Sequence, residues 1–334
     1  MSQTHHILYI STDGRLYQEP DWFYEAFKRD GVSVTKGDRL AQEADNAALA
    51  PHAEVVLNGS GRYPVTADSF DRLENCRLVV RMGAGYDTVD VAEATRRGIL
   101  VANMPANIPE EVSDHAISLF LASLRYLGRQ TAAMRAGQWD PSLSYPARRL
   151  RGQTLGLVGF GRIARLVVQK VAGFGLNCLA YDPYISPAFI TSHGVEPVSF
   201  DDLLRRSDVI SIHAPATPET RGMFNAEAFA KMKPSAILIN TARGALVDET
   251  ALVSALKEGR LRAAGLDVFG YEPIRPGNPL FDLDNVILTP HVASYSEEGL
   301  VDYFQAAYQI VSDFLVRSRI PETVINPEML KNRP

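Results

Sequence analysis

Short apolar runs, bounded by glycine, proline or charged residues, alternate along this chain with longer segments whose apolar positions recur at helical spacing. The short runs predict strands at residues 7–10, 32–35, 54–57, 78–81 and 99–102. After a long helical stretch they resume at 154–158, 177–181, 208–213, 236–240, 263–268 and 286–288. Leu78-Val79-Val80 and Ile237-Leu238-Ile239 are continuously apolar, as strands covered on both faces must be. Helical periodicity predicts one long helix from Glu110 to about Gly137, another over 165–172 and a last one over about 297–316. Strand, helix and strand in this rhythm predict an α/β fold of parallel sheets with right-handed crossovers. There is no short-period repeat and no low-complexity segment.

Two joints interrupt the rhythm. Residues 103–109 carry Pro105 and Pro109 between a strand and a helix, and Thr289-Pro290-His291 follows the last strand. The 334 residues suit about two domains. The joints then favour a discontinuous first domain, 1–102 plus 291–334, with a second inserted at 103–290. Two sequential domains meeting near Arg151 are the other arrangement.

Composition narrows the class. Hydrophobic residues are 46% and charged residues 22%, ordinary for a soluble globular protein. A net charge of 34 − 39 = −5 argues against a generally basic nucleic-acid or membrane binder. The two cysteines, Cys76 and Cys178, lie far apart in apolar surroundings, with no metal-ligand spacing, and suit core packing in a reducing compartment. Met1 to His6 lack the charged and apolar regions of a secretory signal, and no apolar window is long enough for a membrane span. A cytoplasmic protein is expected.

The strand at 154–158 runs into Gly159-Phe160-Gly161-Arg162-Ile163-Ala164 and then into a helix. This is a dinucleotide-binding turn in its G-x-G-x-x-A form. Gly159 allows the tight turn, Gly161 lets backbone approach a pyrophosphate, and Ala164 lets helix and strand pack closely. The helix N-terminus offers N–H groups and partial positive charge to phosphates. Asp182 ends the next strand, 182 − 161 = 21 residues after the second glycine. A carboxylate there accepts from ribose hydroxyls and repels a 2′-phosphate, and no Arg or Lys follows at once, so NAD is expected over NADP.

In open parallel sheets ligands sit at the carboxyl ends of strands. Three successive strands here end in Asn240-Thr241-Ala242-Arg243-Gly244, in Asp267-Val268-Phe269-Gly270-Tyr271-Glu272, and in Thr289-Pro290-His291. Hydride chemistry on a 2-oxo acid calls for such a set. Arg243 offers a planar fork to the carboxylate and polarises the carbonyl. His291 exchanges the proton with the carbonyl oxygen. Glu272 orients His291 and favours its charged form. Asp267, inside an apolar strand, needs partners: a nicotinamide carboxamide, or a structural backbone hydrogen bond. Gly83-Ala84-Gly85, after the strand at 78–81, either offers N–H groups to a substrate carboxylate or is a simple tight turn. Arg62, Tyr63, Met104 and Tyr295 are candidates for a pocket wall, each also readable as packing or surface.

The stretches Arg81-Met82-Gly83-Ala84-Gly85-Tyr86-Asp87, Gly159 to Ala164, Asn240 to Asp248, Asp267 to Pro273 and Thr289-Pro290-His291 resemble the signatures of the D-isomer-specific 2-hydroxyacid dehydrogenase family. The family includes phosphoglycerate, D-lactate and formate dehydrogenases and glyoxylate/hydroxypyruvate reductases. The resemblance implies two Rossmann-like, doubly wound domains, the first flavodoxin-like and discontinuous, with the active site in the cleft. It implies Arg243, Glu272 and His291 as the catalytic triad and Gly83 and Ala84 as the substrate-carboxylate loop. His213, Ala214, Pro215, Thr241, Ala242, Arg243 and Asp267 then lie on the cofactor edge. A homodimer joined through the cofactor domain is also implied.

Tyr181 to Tyr184 and the run after His291 resemble most the branch of dehydrogenase-like C-terminal binding proteins. Two departures stand out. Ser294 replaces the tryptophan of the animal binding proteins, which implies a more open or polar pocket wall, and Ala164 replaces the usual third glycine. Two function classes follow: a reductase or dehydrogenase of small 2-oxo/2-hydroxy acids, or an NAD-sensing interaction protein. The complete Arg/Glu/His set favours the enzyme, as does the short stretch after the last helix. The absence of a further domain disfavours the long allosteric type of phosphoglycerate dehydrogenase. The substrate itself is left open.

Overall fold

The computed structural model describes residues 5–10, 19–37, 48–59, 64–104 and 109–330. The chain divides into two units, Met1–Ile108 with Ser296–Pro334, and Pro109–Tyr295. The joints therefore fall after residues 108 and 295, where the sequence reading sets them after 102 and 290. Hydrogen bonds account for part of the offset. The Asn103 N–H donates to the Thr323 carbonyl (3.3 Å) and the Met104 N–H to the Gly83 carbonyl (3.0 Å), which keeps 103 and 104 with the first unit. The Val292 and Ala293 N–H groups both donate to the Asp267 carboxylate, which keeps them with the second.

The first unit holds a five-stranded parallel sheet of β1 (His5–Ile10), β2 (Val32–Gly37), β3 (Val55–Asn58), β4 (Leu78–Arg81) and β5 (Leu100–Asn103), in the order β2-β1-β3-β4-β5. That is the flavodoxin-like order. Register puts Ile7 between Val34 and Val55, so apolar side chains stack across the sheet on both faces. The helix Glu297–Leu315 returns from the end of the chain to this sheet. Phe304, Ala307, Val311 and Phe314 recur on one face of it and are buried with Phe23 and Phe27 of the helix Asp21–Arg29. The rings of Phe23 and Phe304 meet edge to face at 4.9 Å.

The second unit holds β6 (Thr154–Val158), β7 (Asn177–Tyr181), β8 (Glu196–Pro197), β9 (Val209–Ile212), β10 (Ile237–Asn240), β11 (Ala263–Leu266) and β12 (Val286–Leu288). Their order, β12-β11-β10-β9-β6-β7-β8, reverses direction between β6 and β9, and every pairing is parallel. This is the doubly wound dinucleotide-binding topology, whose switch point is the ligand position. The short β8, absent from the sequence reading, is a two-residue edge strand ending in proline, a residue an edge tolerates.

The long helix expected from Glu110 to Gly137 is two helices, Pro109–Leu124 and Leu127–Arg135. Tyr126 separates them in a left-handed conformation (φ 56°). Its ring is buried between the Arg129 and Arg262 guanidiniums, 5.1 and 5.3 Å from the ring centre. Helical periodicity carries no trace of that side-chain anchor. Among the described residues no helix is long and apolar enough to cross a membrane.

Candidate active site

The glycine turn joins β6 to the helix Arg162–Val171. Gly159 has φ 87°, and a Cβ there would lie 2.8 Å from the Ala214 nitrogen and 2.9 Å from the His213 carbonyl carbon. The turn is thus pressed against the chain leaving β9, and only glycine fits both the conformation and the space. Gly161 caps the helix in an extended conformation without a side-chain hydrogen bond, and a Cβ on it would meet nothing within 4 Å. That open side, beside uncapped helix N–H groups, is the cradle a pyrophosphate requires.

Arg162 is exposed and Ile163 half-buried. The Phe160 ring is fully buried in the core with Ala164 and Val167, while its N–H donates to Asp182 Oδ2 at 2.8 Å. Asp182 Oδ1 accepts from the Tyr184 N–H (2.9 Å) and the Ile185 N–H (3.2 Å). Three main-chain donors therefore hold this carboxylate in one orientation at the end of β7, with lone-pair capacity left on Oδ2.

His213 follows β9 with Nε2 2.9 Å from Ser211 Oγ, and burial pushes its imidazole down to about 4, so it is neutral at neutral pH. Ala214 is buried, and the Pro215 carbonyl accepts from Thr220 Oγ1 (2.7 Å). Thr241 ends β10 with a buried hydroxyl that has no hydrogen-bond partner among the described residues. An orphaned hydroxyl there, with the glycine cradle and Asp182, fits a bound dinucleotide.

The three strand ends at β10, β11 and β12 bring Arg243, Glu272 and His291 into one electrostatic group. His291 Nδ1–H donates to Glu272 Oε2 at 2.6 Å, and the Phe269 N–H donates to Glu272 Oε1 at 2.9 Å. Burial works against an ionised Glu272, but the hydrogen bond and charge of His291, the Phe269 N–H and the Arg243 charge outweigh it. Its carboxyl lies below the usual carboxylate range. Arg243 is held through Nη1 on the Ala242 carbonyl (2.7 Å), and the Asn240 side chain braces the turn by bonding the Arg243 carbonyl (2.9 Å) and the Ala242 N–H (3.0 Å). The next residue, Gly244, is in closer contact: a Cβ there would lie 1.9 Å from the Phe269 carbonyl carbon. The arginine turn and the segment carrying Glu272 are therefore in backbone contact.

Asp267 takes the backbone hydrogen bonds that were one of its two readings. Its side chain is fully buried. Thr289 Oγ1 (2.6 Å) and the Val292 N–H (2.9 Å) donate to Oδ1, and the Ala293 N–H (2.9 Å) donates to Oδ2. Burial opposes its charge, but hydrogen bonds from His115, Thr289 and the two amides hold the carboxyl below its usual range. His291 itself has φ 57°, a conformation that side-chain-bearing residues rarely adopt.

In the first unit the Gly83 carbonyl accepts from the Met104 N–H, and the Ala84 carbonyl from Asn103 Nδ2 (2.7 Å), so the end of β5 holds this loop. Met104 is buried, Tyr295 exposed and Ser294 half-buried. Arg62 and Tyr63 lie outside the described residues, as do residues 105–108 of the first joint. The sequence reading did not single out Asn103 or His115, nor Thr289 as a site residue. Asn103 ends a strand, the criterion that found Arg243, and His115 is a lone imidazole beside the apolar positions Val112, Ala116 and Leu119. Among the described residues no cluster of His, Cys, Asp and Glu has the makings of a metal site.

Comparison with known proteins gives concordant matches. The model of the D-isomer specific 2-hydroxyacid dehydrogenase NAD-binding domain matches residues 117–293. A D-3-phosphoglycerate dehydrogenase of Mycobacterium leprae is 45% identical over 252 residues, 75% of this chain and 47% of that protein. A glyoxylate reductase of Korarchaeum cryptofilum is 41% identical over 278 residues, 81% of this chain and 82% of that one. This chain thus spans about half the length of the phosphoglycerate dehydrogenase. The crystal structure of D-lactate dehydrogenase from Aquifex aeolicus, complexed with NAD and lactic acid, superposes with a TM-score of 0.82 at 28% identity, covering 98% of each chain.

Proposed function

The chain belongs to the D-isomer-specific 2-hydroxyacid dehydrogenase family, and from that premise we propose that it interconverts a small 2-oxo acid and its D-2-hydroxy acid with NAD(H). The observation that carries the reading is the 2.6 Å bond from His291 to Glu272, within reach of the Arg243 charge. Bound nicotinamide supplies or accepts the hydride. Arg243 binds the substrate carboxylate as a fork and polarises the carbonyl. Gly83 and Ala84 are the loop that the family resemblance assigns to carboxylate binding. Because Glu272 engages Nδ1, His291 delivers the proton to the carbonyl oxygen from Nε2. Glu272, ionised, holds that ring and keeps a proton on Nδ1.

Gly159, Phe160, Gly161, Arg162 and Ile163 form the pyrophosphate turn, with His213, Ala214, Pro215, Thr241 and Ala242 lining the cofactor edge. Asp182 selects NAD over NADP, because a carboxylate fixed by three amides cannot turn away from a 2′-phosphate. The match covers only 47% of the phosphoglycerate dehydrogenase, which leaves the choice of 2-oxo acid to experiment. A cytoplasmic homodimer joined through the second unit completes the reading. The homodimer is supported by the exposed apolar side chains of Leu127, Met134, Trp139 and Tyr145 in the second unit.

The test is a panel of glyoxylate, hydroxypyruvate, pyruvate, phenylpyruvate and branched 2-oxo acids, scored by loss of NADH absorbance for the wild type and His291→Ala. Turnover in the wild type, with loss by orders of magnitude in the variant at unchanged NADH affinity, is the expected result. Flat wild-type traces across the panel, or full turnover in the variant, overturn it.

A further inference from the structure

The second unit also contains a titratable pair that the proposed reaction does not use. His115, on the helix Pro109–Leu124, places Nε2 2.9 Å from Thr289 Oγ1 and 3.5 Å from Asp267 Oδ1. The Thr289 hydroxyl lies 2.6 Å from Asp267 Oδ1. An ionised carboxylate only accepts, so the hydroxyl spends its one proton on Asp267 and accepts from His115, which requires a hydrogen on Nε2. The relay is thus directional, from His115 through Thr289 to Asp267.

Asp267 passes the constraint on to the chain around His291. Its carbonyl accepts the His291 N–H at 2.8 Å, and its carboxylate accepts the Val292 and Ala293 N–H groups at 2.9 Å each. Three consecutive amides are therefore bonded to one residue. They bracket the φ of 57° at His291, a conformation that persists only where its surroundings over-determine it. His291 is 44% exposed at its side chain, so its own packing does not hold it. Asp267 is fully buried, and the hydrogen bonds of its carboxylate are to the protein, so its influence passes through the backbone.

We propose that His115 and Asp267 are positioning residues: His115, through Thr289, orients the Asp267 carboxylate, and Asp267 holds residues 291–293 so that the His291 ring stays against Glu272. The proposal rests on the reading of His291 as the proton-transfer group. Its structural half, that the pair sets the His291 ring, is measurable without turnover.

The experiment compares wild type, His115→Ala, His115→Gln, Thr289→Val and, as a control on the exposed side of the same helix, Ser118→Ala. Imidazole ¹H–¹⁵N spectra of the full chain, assigned by loss of the His291 signal in His291→Ala, report the Nδ1–H bonded to Glu272. That signal is expected to shift or broaden in His115→Ala and Thr289→Val, to recover in His115→Gln, which keeps a side-chain N–H, and to stay put in Ser118→Ala. In the active enzyme kcat falls on the order of 10- to 100-fold for the first two variants, the cost of ångström-scale misplacement of a reacting group. NADH affinity changes far less than kcat, since neither His115 nor Thr289 is itself a cofactor-edge residue.

Thr289→Val keeps the side-chain volume, so it reports on the relay even if His115→Ala fails to fold. An unchanged His291 signal in folded His115→Ala and Thr289→Val overturns the proposal, whatever the activity. A shifted signal in a chain that reduces no 2-oxo acid upholds the positioning role and overturns the enzymatic reading instead.

Discussion

Replacing Gly244 by alanine tests whether Arg243, Glu272 and His291 work as one rigid group. A Cβ at Gly244 would lie 1.9 Å from the Phe269 carbonyl carbon and 2.0 Å from its oxygen, where ordinary contact begins near 3.4 Å. Relieving the overlap requires the two segments to part by 3.4 − 1.9 = 1.5 Å. Neither neighbour is a flexible side-chain end that could swing away. The Phe269 N–H holds Glu272 Oε1, and Glu272 Oε2 holds His291, so the displacement reaches both groups. Moving a reacting group by about 1 Å costs on the order of 100-fold in rate, or about 2.7 kcal/mol of transition-state stabilisation. Overpacking costs about 1–3 kcal/mol of stability.

Gly244→Ala is therefore expected to stay folded, to lose several degrees in Tm, and to drop about 100-fold in kcat/KM. NADH affinity should fall less than kcat/KM, because the glycine turn on β6 is two strands away, although Thr241 and Ala242 share the turn with Gly244. Thermal unfolding, NADH titration and steady-state reduction of the best 2-oxo acid measure the three quantities. A folded variant with kcat/KM within about 3-fold of wild type would refute the claim that these segments share one geometry.

Other substitutions probe the same surface from different sides. Arg243→Lys should restore little of the 2-oxo acid reduction lost in Arg243→Ala, because a point charge cannot form the fork; near-normal kcat/KM in the lysine variant removes the bidentate role. Asp182→Ala should narrow the ratio of kcat/KM with NADH to that with NADPH, and an unmoved ratio assigns the preference elsewhere. Glu272 has its pKa lowered in the folded state, so its contribution to stability is present above its ordinary range near pH 4.5 and is lost as pH falls through the lower folded value. The Tm gap between wild type and Glu272→Gln should accordingly close below about pH 4; a gap that widens on acidification contradicts the sign. His213, neutral when buried, acts in the same direction. As pH falls from 6.5 toward about 4 the unfolded chain takes up its proton first, so the wild type loses stability across that window and His213→Asn should lose less.

The sequence by itself determined the α/β class, the places of nearly all the strands and the glycine turn. All of these depend on local patterns: both-face burial makes a strand continuously apolar, and a dinucleotide turn needs glycines at stated offsets. It also brought Arg243, Glu272 and His291 forward as candidates, because parallel strands must end at the same edge of a sheet. What it left out depends on long-range partners. The break at Tyr126 is accompanied by ring contacts with two arginines, one of them 136 residues away (262 − 126). The close approach of Gly244 to Phe269 and the bracing of His291 by Asp267 join residues on different strands. Local periodicity cannot encode such pairings, because each depends on which strand lies beside which and in what register. Only the tertiary structure decided that Asp267, whose partners the sequence left open between a carboxamide and the backbone, spends hydrogen bonds on the amides that follow the histidine. The physical reason is burial: a carboxylate enclosed in protein must satisfy its oxygens from whatever donors the fold brings to it.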